Sequence, residues 1–259
     1  MATKKNRLDL SKIDTRAPKV LDKDETKGKL KAIAQDLDEL QNLLYAEAKH
    51  SILVVIQGMD ASGKDGLIRD VFGAMNPQGV QVQSFKTPTK EEAAHDFLWR
   101  IHQHAPAKGM IQVFNRSHYE DILITRVHGW CDDATAAKRM KAINQFEELL
   151  EFSGTKVIKL YLHVSHKEQL SRLEERLHIP RKMWKYNADD LEESKKWGEY
   201  RKYYQEAMEK CNHSPWHIIP ADQNWYKSYL VARLLQETLK GFKMKYPGLK
   251  TEPILEKKA

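Results

Sequence analysis

The chain of 259 residues has only two cysteines, Cys131 and Cys211. That leaves no disulfide framework and suits a reducing compartment with free thiols, hence a cytoplasmic location. It also has no long hydrophobic run: the longest, "ILVVI", is far short of the roughly 20 apolar residues that span a bilayer. The basic start "MATKKNRLDLSK" is not followed by an apolar segment, so it does not read as a secretory signal and no membrane partner is expected. There is no internal repeat, no low-complexity tract and no Gly/Ser linker.

What is present is a hydrophobic fraction of 41% beside 31% charged residues, enough to fill a core. Net charge is +7 with pI ≈ 9.1, which points to an anionic partner. Most of the cations lie beside acids on helical faces, as in "DDLEESKKWGEYRKYYQEAMEK", so much of this charge also reads as solvated surface. Aromatic residues are not interleaved with the basic ones as a stacking platform, which argues against nucleic acid as the partner.

Hydrophobic periodicity gives an alternating order of strands and helices. Leu30, Ile33, Ala34, Leu37, Leu40, Leu43 and Leu44 predict an amphipathic helix over about 26–50. Strands are expected at "SILVVIQG", "VQVQSF", "GMIQVFN", "KVIKLYLHV" and "WHIIPA". Between them, single helices are expected at "TKEEAAHDFLWRIHQH", opened by a capping box of Thr89 and Glu92, at "SHYEDILITRVH" and at "DLEESKKWGEYRKYYQEAMEKC". Further helices are expected at 65–72, "TAAKRMKAINQFEELLEFSG", "KEQLSRLEERL" and "NWYKSYLVARLLQETLKGF". The fold class is therefore α/β: a five-stranded parallel sheet covered by helices on both faces, with a helical lid. Residues 1–24 form an N-terminal arm that lies on the surface or is disordered. Residues 25–259 form the domain, with the lid at about 165–210.

The segment "VVIQGMDASGKDG" follows the first buried strand and opens a helix. Gly58, Gly63 and Lys64 fit G-x-x-x-x-G-K, in which backbone N–H groups, a helix N-terminus and a lysine converge on phosphate. Gly58, Met59, Ala61, Ser62, Gly63, Lys64 and Asp65 are the expected phosphate contacts; the plainer reading is a glycine-rich turn. The Ser or Thr that usually ligates Mg²⁺ after the lysine is replaced by Asp65. A hard cation prefers carboxylate oxygen, so Asp60 is the metal candidate, for Mg²⁺ or Mn²⁺. Asp65 is also explained as an acid at a helix N-terminus. At the end of the third strand, Asn115 stands where an acid is usual, and Arg116 offers a fork matched to phosphate oxygens. Glu120, Asp121 and Arg126 follow as nucleotide-side candidates. Arg172 and Arg176 share one helix face, and Lys182, Trp184 and Lys185 follow a Pro-containing turn. Together they suggest a basic cover that excludes water, or simply a solvated helix with a packed aromatic.

"GMDASGKDG", "FNRSHYEDILITRVH", "LHVSHKEQLSRLEERLHIPRKMWKYNADDLEESKKWGEY" and "PWHIIPADQNWYKSYLVARLL" resemble the polyphosphate kinase 2 family, in that order, over about residues 20–243. The resemblance implies a P-loop kinase-like three-layer sandwich, Mg²⁺ and phosphoryl transfer between inorganic polyphosphate and a nucleotide, and an Asp at the position of Asp60. Many members have Asp at the position of Asn115 and Trp at that of His118. "NRSHYED" instead resembles the subgroup that phosphorylates both nucleoside mono- and diphosphates. The expected function is transfer between polyphosphate and AMP or ADP, giving ADP or ATP, reversibly, by a homo-oligomeric enzyme. Asp60, Lys64 and Arg116 would be catalytic. An ATP-dependent nucleoside monophosphate kinase and a basic P-loop module that binds nucleic acid are the rival readings.

Overall fold

The computed structural model describes residues 8–249. Five parallel strands run in the order β2-β3-β1-β4-β5: β1 Ser51–Gln57, β2 Val80–Ser84, β3 Ile111–Asn115, β4 Thr155–His163 and β5 Trp216–Pro220. Strand β1 is buried along its whole length, and β4 nearly so. Both carry helices on each face, which is why their sequences are continuous rather than alternating apolar runs. The helices are α1 Lys23–Glu47, α2 Lys64–Phe72, α3 Lys90–Ala94, α4 Trp99–His102, α5 Ile124–Val127, α6 Asp133–Phe152, α7 His166–His178, α8 Pro180–Met183, α9 Asp189–Lys195, α10 Trp197–Lys210 and α11 Asn224–Gly241. Helix α1 packs along α11. Leu37, Leu44, Leu67, Val71, Val231 and Leu235 close the core over the central strands.

The chain passes to one side of β1 for β2 and β3 and to the other for β4 and β5. Connections therefore diverge over the carboxyl end of β1, where open α/β sheets bind ligands. The register sets the neighbours: Ile56 pairs with Asn115, and Gln57 with Tyr161. The loop after β1 and the turn after β3 thus emerge side by side.

Three expected helices are broken. The 90–104 segment is α3 plus α4, because His95 is extended and Asp96 accepts from Leu98 N to start a new turn. The capping box is formed as expected: Thr89 accepts from Glu92 N, and Glu92 from Thr89 N. The segment after Arg116 is a 3₁₀ turn, His118–Ile122, followed by α5. Ser117 caps Tyr119 N, and both His118 and Tyr119 turn into the core, which favours the tighter winding. The 189–210 segment bends at Lys196 into α9 and α10.

Residues 1–7 of the expected arm lie outside the described residues; the rest is irregular apart from a 3₁₀ turn at Leu10–Lys12, and Asp22 caps α1 a few residues before the expected start. Leu10 is buried in the main core, which its isolated position in a mixed-charge segment did not suggest. Thr15 Oγ1 donates to Asp222, Ala17 N donates to Gln223, and His163 Nε2 meets Ile13 O. The arm is thereby fastened across the carboxyl ends of β4 and β5. Among the described residues no helix is long and apolar enough to cross a membrane.

Candidate active site

The loop from Gly58 to Gly63 leaves β1, and Gly63 is the N-cap of α2. Gly63 has φ +90, a conformation L side chains resist. Ala61 (φ 60) and Arg116 (φ 62) adopt left-handed backbone without being glycine. Each such residue costs on the order of 1 kcal/mol, held here by the surrounding bonds. Both flank the same cleft.

Lys64, the first residue of α2, folds back so that Nζ donates to Gly58 O at 2.7 Å and Met59 O at 3.2 Å. Burial pushes its ammonium down to about 8, with Arg116 adding to the effect. Arg116 Nη2 donates to Asp60 Oδ1 at 2.5 Å, and Nη1 lies 3.5 Å from Glu120 Oε2. Burial disfavours both charges of this pair. The opposing charges win: Arg116, Lys64 and Arg176 hold Asp60 below its ordinary value, and Asp60 and Glu120 hold Arg116 above its own.

Asp65 is engaged twice. Its carboxylate accepts from Asn115 Nδ2 at 3.0 Å and from Lys185 Nζ at 2.9 Å. Despite partial burial, these bonds hold its carboxyl below the ordinary range. Asn115 in place of an acid is explained by this contact, since an Asp there would face Asp65 carboxylate to carboxylate.

The cleft is lined on the sheet side by Gly58, Met59, Asp60, Arg116, Glu120 and Ile124. The helical segment supplies Gln169, Glu193, Ser194, Trp197, Tyr200 and Tyr204. None of these last six was singled out in the sequence. Glu193 accepts from Tyr200 OH at 2.6 Å and meets His128 Nε2 at 3.1 Å, tying α9 to the end of α5.

Several expected contacts are engaged elsewhere. Arg172 spends its guanidinium on the protein: Nε on Glu168, Nη1 on Ala61 O, Nη2 on Ala221 O and Asp222 O. It braces the loop from behind and is not an open phosphate clamp. Arg126 is bound by Glu206 and Asp133 and lies over the Tyr203 ring at 4.0 Å, outside the cleft lining. The Asp121 carboxylate turns towards Arg100, 3.7 Å away, and burial pushes it upward. Arg176 bonds Lys185 O and Asp190, and Lys182 bonds Glu175.

Sequence reasoning also missed Lys227. It is fully buried beneath the loop, and its Nζ donates to Gly63 O at 2.9 Å and Asn224 Oδ1 at 2.9 Å. A usable signal exists. Lys227 stands four and eight residues before Val231 and Leu235, both buried, so a lysine occupies the apolar stripe of α11.

Among the described residues no group of three or more His, Cys, Asp or Glu side chains gathers. Asp60 and Glu120 meet only across Arg116. That donor set fits a hard cation held by one or two carboxylates with phosphate oxygens completing its shell, and does not fit an all-protein cage.

A parallel sheet with this loop on its central strand, an arginine at the next strand end and a helical cover defines a kinase of the P-loop type. The chain belongs to the polyphosphate kinase 2 family, whose sequence model matches residues 20–247. It is similar to a protein of Meiothermus ruber named AMP/ADP-polyphosphate phosphotransferase: 47% identical over 224 residues, covering 86% of this chain and 84% of that one. It is 40% identical over 232 residues to an ADP-polyphosphate phosphotransferase of Rhodopseudomonas palustris, covering 84% and 80%. The crystal structure of polyphosphate kinase 2 from Arthrobacter aurescens TC1 superposes with a TM-score of 0.92 at 42% identity, over 96% of this chain and 90% of that one.

Proposed function

We propose that the protein transfers phosphoryl groups between inorganic polyphosphate and adenine nucleotides, making ADP from AMP and ATP from ADP, and the reverse. The observation that carries this reading is the convergence of Lys64, Arg116 and Asp60 on one loop whose cleft is walled by the helical segment. The names of the relatives support the choice of polyphosphate and of AMP and ADP.

The loop N–H groups and Lys64 bind the transferring phosphates. An incoming phosphate competes with the carbonyls of Gly58 and Met59 for the Lys64 ammonium. Asp60 would hold Mg²⁺, or Mn²⁺ in its place, which supplies charge neutralisation on the phosphate oxygens. Arg116, beside Asp60 on the same cleft, neutralises charge on the phosphoryl group in flight. No general base is needed, because the acceptor oxygen is already anionic. Asn115 and Glu120 lie on the nucleotide side. The segment 166–210 acts as a lid that excludes water, so that nucleotide rather than solvent receives the phosphoryl group. Lys185 on Asp65 is the latch between lid and loop, with Arg176 and Lys182 as basic residues on the lid. A neutral Asn115 leaves less negative charge facing an anionic acceptor, which suits acceptors of two lengths.

The buried free thiols suit a cytoplasmic enzyme. Leu149 and Phe152, both exposed on α6, suit a homo-oligomer. The test is purified protein with AMP, excess polyphosphate and Mg²⁺. ADP is expected to rise and then fall as ATP accumulates. ADP use with AMP left untouched contradicts the dual acceptor. Transfer from ATP alone supports an ordinary nucleoside monophosphate kinase instead.

A further inference from the structure

Five of the six loop carbonyls from Gly58 to Gly63 accept from side chains. Gly58 O and Met59 O accept from Lys64, Asp60 O from Gln169 Nε2, Ala61 O from Arg172 and Gly63 O from Lys227. Lys64 is the one a phosphate can draw away; Arg172 and Lys227 lie behind the loop, and Gln169 reaches it from the cleft wall. A peptide unit is planar, so its carbonyl and the next N–H point in opposite directions. Fixing Gly63 O on the side of α11 therefore aims Lys64 N–H into the cleft. Gly63 O already accepts Leu67 N in the first turn of α2, and Lys227 takes its second lone pair. Gly63 is also the loop position with the most backbone freedom, where a peptide flip meets least resistance.

We propose that Lys227 is a positioning residue for phosphoryl transfer: its ammonium locks the Gly63–Lys64 peptide so that the N–H at the start of α2 stays aimed at phosphate. The proposal rests on the functional reading above. Lys227 is 0% exposed, so it acts through the loop rather than from the cleft surface. It has only carbonyl acceptors within hydrogen-bond distance, from Gly63 and from the Asn224 side chain. Packing alone does not account for it, because an apolar side chain fills such a place without desolvating an amine. The cost shows in its protonation: burial, with Arg172 beside it, pushes the ammonium down to about 7. The site is also shaped around it, since a Cβ at Gly63 would lie 2.4 Å from Lys227 Nζ.

The test compares wild-type protein with Lys227→Met in three measurements: steady-state transfer from polyphosphate to ADP, calorimetric binding of inorganic tripolyphosphate, and thermal melting. The proposal predicts a kcat lower by about 10- to 100-fold, as for loss of one oriented donor or less. It also predicts a KM for ADP within about threefold, tripolyphosphate bound about tenfold more weakly, and a melting temperature no lower than wild type. A folded variant with wild-type kcat and tripolyphosphate affinity overturns it. So does a kcat loss matched by a fall in melting temperature, which marks a merely structural residue. Should Lys227→Met not fold, Asn224→Ala decides. It removes the second acceptor of Lys227 at an exposed position, and several-fold lower kcat at unchanged melting temperature is expected; unchanged kcat contradicts the proposal. If wild-type protein moves no phosphoryl group from polyphosphate, the functional reading has failed, and the tripolyphosphate affinities still decide the role of Lys227.

Discussion

Lys159 and Lys227 are both withdrawn from solvent, yet their surroundings differ in kind. Lys159, in the middle of β4, donates to Glu147 at 2.7 Å, Tyr119 OH at 2.9 Å and Cys211 O at 2.8 Å, with the Trp216 ring 5.0 Å away. Burial opposes both charges of the pair and pushes Lys159 down, while His118 and Lys159 hold Glu147 below its ordinary value. This network, between α6 and the β4–β5 side of the sheet, spends all three ammonium donors inside the protein. Below the loop, Lys227 has only a carbonyl and an amide oxygen, and Lys64 has only carbonyls. A paired buried charge serves the fold. Ammonium groups that donate to no carboxylate serve the loop instead: Lys64 as a contact for phosphate, Lys227 as a brace behind it.

The sharpest way to break this contrast is at Lys64. Lys64→Ala is expected to lower kcat about 10⁴-fold, ~5 kcal/mol of barrier, with an unchanged circular dichroism spectrum. Near-normal turnover would remove the loop from the mechanism. The opposite pole is Lys159→Met, which leaves Glu147 buried without its cation. Removing one partner of a buried pair costs about 3–5 kcal/mol, read as a lower midpoint in urea. Turnover per folded molecule is expected to stay within about twofold. Asp60→Asn comes next, with a loss of about 10²-fold, ~3 kcal/mol, partly recovered at raised Mg²⁺. Metal dependence identical to wild type would make Asp60 structural.

A smaller effect follows from the displaced ammonium groups. Burial pushes Lys64 down to about 8 and Lys227 down to about 7 in the folded chain, from the ordinary 10.5 of lysine. Below these values both states are protonated and the burial penalty is present in full. As pH rises from 7 towards 10 the unfolded chain binds more protons than the folded one, so ligand-free stability gains from these two groups. Melting temperature against pH should rise less steeply across that window in Lys227→Met than in wild type; equal slopes would contradict the assignment. Smallest is the latch. Lys185→Ala, which leaves Asp65 bonded to Asn115 alone, is expected to raise KM for nucleotide only a few-fold, because a partly exposed pair contributes up to about 1 kcal/mol.

The same contrast explains what the sequence disclosed. The strands were legible because β1 and β4 are apolar nearly throughout and bounded by turns. The loop was legible because its glycines and Lys64 serve backbone geometry and charge at fixed spacing. The breaks at His95 and Leu123 were not, since no glycine or proline stands beside them, and at Lys196 the only hint was Gly198 two residues on. The cleft wall of Glu193, Trp197 and Tyr200 is created only when α9 and α10 fold over the loop. Arg172 read as a phosphate ligand and Arg126 as a nucleotide-side residue from charge alone, but in the fold carbonyls hold the first and carboxylates the second. Lys227 and Lys159 were visible in principle, as cations on stripes that are otherwise apolar.

The central claim is that the loop passes a phosphoryl group from polyphosphate to nucleotide with water excluded. It is tested most directly by ³¹P NMR of the purified protein with ADP, Mg²⁺ and polyphosphate of defined length. The account predicts that ATP γ-phosphate grows in step with loss of polyphosphate residues, with inorganic phosphate staying at the level of an enzyme-free control. Polyphosphate loss that appears as inorganic phosphate, or no ATP while ADP and polyphosphate persist, would contradict it.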